Sequence, residues 1–345
     1  MKKIFIITLL SALVTGLFTS CENGDWEFPD FEYSAVYFAY QSPVRTIVLG
    51  EDVFDTSLDN AYKCQIMATM GGVYSNEKDV EIGIRVDNSI VNDLVFGASQ
   101  DEIIPMPSNY YSLSSEKIVI EKGSILGGVT VQLADAFFND PNSLVNTYVI
   151  PVVMTGVINA DTILSGTPLV DNPRRGVSSD WDVQPKDYVL YAVKYINPYD
   201  ANYLRRGVDV ISGGQSGTHN RRAQYVEQDE VIDDITTRSL NTIAWEHQTR
   251  DMENIPRNSV MLLTFNEQGD CTVSSDTDGV SAVGSGKFVS KGEKNSWGEK
   301  DRDALYLDYT IDYGDIRVAT KDTLVVRDRG VKAEWFTPVE KEEAL

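Results

Sequence analysis

The stretch Val80-Glu81-Ile82-Gly83-Ile84-Arg85-Val86 sets an apolar side chain at every second position, with polar or small residues between. A period of two is the mark of a strand that turns one face to a core and the other to water. Further on, Lys117-Ile118-Val119-Ile120-Glu121-Lys122-Gly123 reads the same way and ends on a turn glycine. Outward from these two, segments rich in β-branched and aromatic residues, bounded by Gly, Pro, Asn and Asp, lie at 33–40, 44–49, 62–70, 129–133 and 148–154. Seven short strands with turn signals between them, and almost no helical periodicity, predict an all-β chain whose first unit is a β-sandwich over 33–159.

A polar stretch over 160–185, with Pro168, Pro173 and Pro185 and the run Asp171-Asn172-Pro173-Arg174-Arg175-Gly176, reads as a linker. A second β domain is then expected over 186–345. It opens on the β-prone run 187–196 (DYVLYAVKYI), continues through turn chemistry around Pro198 and Asn202, and carries further strands at 221–227, 242–245, 260–265, 271–274, 286–289, 304–312 and 315–326. Glu267-Gln268-Gly269-Asp270 reads as a hairpin turn. Closing these strands into a small barrel would remove exposed sheet edges, with a second sandwich as the alternative.

At the N-terminus, Lys2 and Lys3 precede an apolar run from Ile4 to Phe18, and Phe18-Thr19-Ser20-Cys21 follows. The run is shorter than the roughly 20 residues a spanning helix needs, and small residues before a cysteine suit a signal peptidase. Residues 1–20 are therefore expected to be a signal peptide, with Cys21 becoming the first residue and the lipid attachment point. Several acyl chains at one terminus would hold firmly where a single chain would not. Residues 21–32 read as an acidic tether carrying Glu22, Asp25 and Glu27. Without residues 1–20 the chain keeps 28 basic against 52 acidic side chains, a formal charge of −24. That sign and size argue against nucleic acid or anionic lipid as a partner and leave neutral partners open. Cys64 and Cys271 are far apart in the chain and read as small buried apolar residues, so no disulfide framework is expected.

Phe18-Thr19-Ser20-Cys21 resembles a lipobox of the looser Bacteroidetes form, with Phe18 where leucine is usual and Leu17 one place earlier. Pro107-Ser108-Asn109-Tyr110-Tyr111-Ser112-Leu113-Ser114, Lys117 to Gly123, Gly128-Val129-Thr130-Val131-Gln132-Leu133 and Tyr148-Val149-Ile150-Pro151-Val152 together resemble the immunoglobulin-like N-terminal domain of unknown function of Bacteroidetes. That family fronts surface lipoproteins and some glycoside hydrolases, and its motifs hold no catalytic residues. Gly284-Ser285-Gly286-Lys287-Phe288-Val289 and Trp297-Gly298-Glu299-Lys300-Asp301-Arg302-Asp303-Ala304-Leu305-Tyr306-Leu307 resemble the lipocalin-like C-terminal domain that often follows it. The resemblances imply an outer-membrane, lipid-anchored protein facing the cell exterior, an accessory to a polysaccharide importer.

Motifs for catalysis are scarce. His219 and His247 are the only histidines, without HExxH or a cysteine cluster nearby, so a zinc site or a triad lacks its parts. Gly213-Gly214-Gln215-Ser216-Gly217 departs from a nucleophile elbow, Gly284-Ser285-Gly286-Lys287 lacks P-loop spacing, and Ser275-Asp276-Thr277-Asp278-Gly279 reads as a turn rather than a calcium loop. No metal or cofactor is called for, and no enzyme activity. Exposed aromatic planes beside amides, carboxylates or guanidinium groups can hold neutral sugars by stacking and hydrogen bonds. The candidates are Trp297 in a polar loop, Trp245 beside Glu246 and His247, Tyr199 and Tyr203 near Arg205 and Arg206, and Trp181 beside the linker. The dibasic pairs 174–175, 205–206 and 221–222 read as charge-balancing surface pairs. The expected function is non-catalytic binding of a neutral glycan at the cell surface. A structural or adhesive envelope protein and an unrecognised glycoside hydrolase are the alternatives.

Overall fold

The computed structural model describes residues 31–341 apart from 32, 75 and 234, and within them the chain is all-β in two units. The signal peptide, Cys21 and nearly all of the tether lie outside the described residues. No described helix is long and apolar enough to cross a membrane.

The sandwich is built from β1 (Ala35–Tyr37), β2 (Pro43–Val48), β3 (Lys63–Gly71), β4 (Val80–Val86), β5 (Lys117–Ile120), β6 (Leu126–Leu133), β7 (Tyr148–Ile158) and β8 (Tyr188–Ile196). One sheet runs β1-β3-β6, with short strands Thr162–Ile163 and Tyr111–Leu113 on its edges; the other runs β2-β8-β7-β4-β5. Inward residues of both sheets, among them Val36, Ile66, Val131, Ile82, Ile118, Ile150 and Val193, share one apolar core. The second sheet also buries its other face, where Val149, Val153, Leu190 and Ala192 pack against Val91, Leu94, Phe96 and Ile103.

Strand β8 corrects the expected domain boundary. The sequence places 187–196 at the start of the second domain, but β8 lies within the sandwich, parallel to β2 (Ala192 opposite Val44) and antiparallel to β7 (Ala192 opposite Val149). Its apolar run from Tyr188 to Val193 follows from burial on both faces of the sheet. The stretch 160–185 is likewise folded onto the sandwich. Thr162–Ile163 pairs with β1, Thr167–Pro168 pairs with Trp181–Val183, and Arg175 bonds Asp187 through two contacts of 3.0 and 2.8 Å.

The second unit comprises β9 (Asn202–Gly213), β10 (Gly217–Arg221), β11 (Glu230–Ile232), β12 (Ile235–Ser239), β13 (Thr242–Arg250), β14 (Pro256–Phe265), β15 (Asp270–Ser275), β16 (Ser281–Ser296), β17 (Lys300–Asp312) and β18 (Ile316–Asp328). All neighbours are antiparallel, in the order β10-β9-β18-β17-β16-β15-β14-β13-β12. The return segment that carries β10, β11 and β12 pairs first with β9 and then with β13, so the sheet meets itself and forms a barrel. At Gly284 a Cβ would stand 2.5 Å from the Asp308 carbonyl oxygen, so the close curl of β16 on β17 needs glycine there.

After β18 the chain returns to the sandwich. Glu334–Trp335 adds to the edge of β2, and Pro338–Glu340 pairs with Leu94–Phe96. The barrel is therefore looped out between two segments of the first unit. At the crossing, the buried Arg329 guanidinium donates to the carbonyl oxygens of Leu49, Glu51, Asn197 and Asp200 at 2.6 to 3.1 Å. Asn197 Nδ2 donates to the carbonyls of Ser239 and Thr242, and Leu240 at the β12–β13 turn packs on the sandwich core.

Candidate functional site

Alternation along β9, β13, β17 and β18 sends Tyr203, Ile243, Leu305 and Leu324 into one end of the barrel, and Arg205, His247, Tyr309 and Asp322 into its middle. Asp322 Oδ2 accepts from Arg205 Nε at 3.0 Å and from the Tyr309 hydroxyl at 2.7 Å, while Oδ1 accepts from Arg221 Nη2 at 2.5 Å. Arg221 also pairs with Asp209, whose carboxylate accepts from Thr320 Oγ1 at 2.7 Å and Thr249 Oγ1 at 3.2 Å. Gly207 makes room for this, since a Cβ there would lie 2.0 Å from Asp322 Oδ1. Arg205 Nη2 sits 3.0 Å from His247 Nε2. A guanidinium only donates, so Nε2 is the acceptor and the imidazole is neutral. Burial, with Arg205 and Arg221 beside it, accordingly holds the His247 pKa well below the usual histidine value. Burial and Asp322 together raise the Tyr309 hydroxyl well above its usual range. With its acids and bases committed to one another, this layer ties β9, β10, β13, β17 and β18 together across the barrel.

Above the layer the barrel wall opens where the return segment changes partner. A cleft of about 720 Å³ lies there, lined by residues that include Glu230, Trp245, His247 and Ser259, and the buried Trp245 Nε1 has no hydrogen-bond partner.

Four of the five aromatic candidates turn out to be packed. Trp245 and Tyr203 are fully buried in the barrel core. Tyr199 stacks on Phe265 at 3.6 Å and 11°, and Trp181 is buried with its Nε1 donating to the Arg174 carbonyl. Trp245 and Tyr203 fill inward positions that a small barrel must occupy with bulky side chains. Trp297 differs. It is half-buried in the turn between β16 and β17, Arg302 stacks on its ring at 3.8 Å, and its Nε1 has no partner. With Leu204, Val226, Val231, Gly298 and Arg327 it lines a cleft of about 610 Å³. Arg205 and Arg221, expected at the surface, stand inside the barrel. His219 is half-buried on β10 opposite Asp209, with its Nε2 buried and unpartnered. Cys64 and Cys271 are free and buried, one in each core, and burial pushes both thiols up to about 12. Among the described residues no cluster of three or more His, Cys, Asp or Glu is placed to hold a metal.

One aromatic pair escaped the sequence reading. Trp335, brought to the sandwich by the C-terminal segment, is 57% exposed; Tyr40 is 61% exposed; their ring centroids are 5.6 Å apart at 47°. Trp335 borders a cleft of about 1140 Å³. The available signal was Trp335-Phe336, two large aromatics in an otherwise polar tail.

Comparison with known proteins adds a frame. Residues 31–161 match a family described as an N-terminal domain, and residues 198–330 match a domain of unknown function (DUF5627). A solved structure of unknown function from Bacteroides ovatus is 46% identical, with a TM-score of 0.85, over 90% of this chain and all of that one. The chain belongs to that protein's family. The family match 198–330 coincides with the looped-out barrel, and the relative's closeness extends the two-unit β fold to the family. Two more distant Bacteroides ovatus structures align at 14% identity and a TM-score of 0.39 (88% of this chain, all of that one) and at 11% and 0.29 (89% and all). The first is of unknown function and the second is a candidate carbohydrate-binding protein, and neither overlap is close enough to carry an argument. No curated protein matches the chain.

Proposed function

We propose that the chain is an outer-membrane lipoprotein, anchored through Cys21 and facing the cell exterior, that binds neutral oligo- or polysaccharide for a glycan importer without cleaving it. The observation that carries the binding reading is the Trp297 cleft. Arg302 stacks on the indole and holds it in place, so little ordering remains to be done when a sugar ring arrives against the half-buried tryptophan. The acidic surface favours an uncharged ligand. The non-catalytic part of the reading is supported by the barrel's buried carboxylates, each held by arginine.

Affinity electrophoresis in gels containing starch, xylan or galactomannan tests the reading. At least one gel is expected to retard the protein, with Trp297→Ala migrating faster than wild type in it. A protein unretarded by every neutral polysaccharide would sink the reading. For the anchor, Cys21→Ala is expected to release the protein from the membrane fraction, and external protease should cut the wild type on intact cells.

A further inference from the structure

We propose that the sandwich cleft bordered by Trp335, with Tyr40 beside the indole, is a second glycan subsite taking a neutral oligosaccharide. The inference rests on the glycan-binding reading above and adds a site that reading does not need.

Having completed the barrel, the chain returns and is tied down on both sides of Trp335. Phe336 N donates to the Ser42 carbonyl at 3.0 Å, its ring packs on Phe96 at a centroid distance of 4.9 Å, and Gly97 N donates to the Thr337 carbonyl at 2.8 Å. A Cβ on Gly97 would come within 2.9 Å of that carbonyl oxygen, so glycine is what lets the tail approach. Phe336 is thus the packing residue of the pair. Trp335 points the other way, and no core claims it. An indole more than half exposed, on a backbone held at fixed position and beside an exposed tyrosine, is a binding surface already paid for in chain ordering.

The chemistry around it selects the ligand. Asn142, Asn146 and Ser99 supply amide and hydroxyl groups to the cleft, and Asn146 Oδ1 is buried without a partner. Among the described lining residues the only cation is Lys194, and Glu334 holds it with contacts of 2.9 and 2.8 Å. Asp101 and Glu102 stand at the rim. A polyanion would meet two carboxylates and no available cation, and an apolar ligand would leave the amides unpaired. A sugar satisfies both, since its C–H faces stack on the rings while its hydroxyls meet amides and carboxylates.

Two subsites on two units tied together at Arg329 make the protein bivalent for a long chain. A polysaccharide that reaches both should bind more tightly than an oligosaccharide that reaches one.

The experiment measures affinity for the polysaccharide that retards the wild type, and for its short oligosaccharides, with Trp335→Ala, Tyr40→Ala, Trp297→Ala and the double variant Trp335→Ala/Trp297→Ala. Loss of one stacking ring is expected to weaken polysaccharide binding roughly tenfold. The double variant should lose retardation, and Trp335→Tyr should recover part of the binding. Because Trp335 lies at the surface, unchanged thermal melting of Trp335→Ala will show that the fold is intact. If Trp335→Ala binds as the wild type does while Trp297→Ala does not bind, the second subsite is refuted and the function stands. If no neutral polysaccharide binds the wild type, both fall. If Trp335→Ala alone abolishes binding, the sandwich cleft stands as the principal site.

Discussion

The two units of this chain fill their centres with opposite chemistry. The core between the two sheets of the sandwich is an apolar cluster, with Ile47, Ile66, Ile82, Ile118 and Ile150 interleaved. The barrel interior is apolar at one end and ionic in the middle, where Arg205, Arg221, Asp209 and Asp322 are joined with His247 and Tyr309. In a sandwich, strands drawn together by hydrophobic burial close the space between sheets. A closed barrel has an inside width set by strand number and tilt, and something must occupy it. Here charged side chains do so, and they leave the barrel a packed column with clefts only at its wall. The difference teaches that one unit is held by burial, which tolerates repacking, and the other by a paired network that does not.

The most severe way to break that contrast is to unpair the barrel. Asp322→Ala takes from the buried Arg205 its closest carboxylate and from Arg221 one of the two carboxylates that hold it, and is expected to cost about 3–5 kcal/mol. Cys271 sits in the barrel core and Cys64 in the sandwich core, so the two thiols report the units separately. With Cys21 replaced, thiol labelling under increasing denaturant should show Cys271 reacting earlier in the variant and Cys64 less affected. Equal shifts at both thiols would mean that the crossing at Arg329 makes the units unfold together. The matching cut in the sandwich, Ile82→Ala, is expected to cost about 3 kcal/mol through a cavity, with Cys64 as the thiol that moves.

A third test uses protons. The unfolded chain protonates His247 as pH falls through about 6.5, while the folded barrel keeps it neutral well below that value. The unfolded state therefore takes up protons first, and stability is present above pH about 6.5 and lost below it, by up to about 1.4 kcal/mol per pH unit. Denaturant midpoints read at Cys271 between pH 7 and about 5 should show this slope in the wild type and a flatter one in His247→Gln. Parallel slopes would show that the imidazole is not held neutral by the fold.

How much of this was legible follows the same divide. Strands β4 and β5 were read to the residue because each has one wet face, so their alternation is visible. Strand β8 carries no such period, being buried on both faces, and its partner β2 lies far earlier in the chain, so nothing local assigned it to the sandwich. The barrel misleads in a more specific way. In Arg205-Arg206-Gly207-Val208-Asp209-Val210, ordinary reading sends valine inward and charge outward. The structure does the reverse, leaving Val208 and Val210 at 38% and 49% exposed while Arg205 and Asp209 are buried. Only pairing with Asp322 and Arg221, more than a hundred and about a dozen residues away, makes the inverted face stable. The same inversion hid Trp245 and Tyr203, whose polar neighbours suggested a surface. Trp335 went unread because its place is set by a tail that crosses back to the other unit.

The smallest expected effect bears on that residue. Trp335→Ala removes a large side chain, yet its ring is mostly in water and its one aromatic neighbour, Tyr40, is exposed too. A tilted exposed pair is worth at most about 1 kcal/mol, so the denaturation midpoint read at Cys64 should shift by less than a third of the Ile82→Ala shift. A larger shift would place Trp335 among the residues that hold the tail on the sandwich, and its exposure would then be incidental to packing. A shift this small, set beside a loss of glycan binding, leaves recognition as the reason a tryptophan stands where a smaller residue would hold the strand equally well.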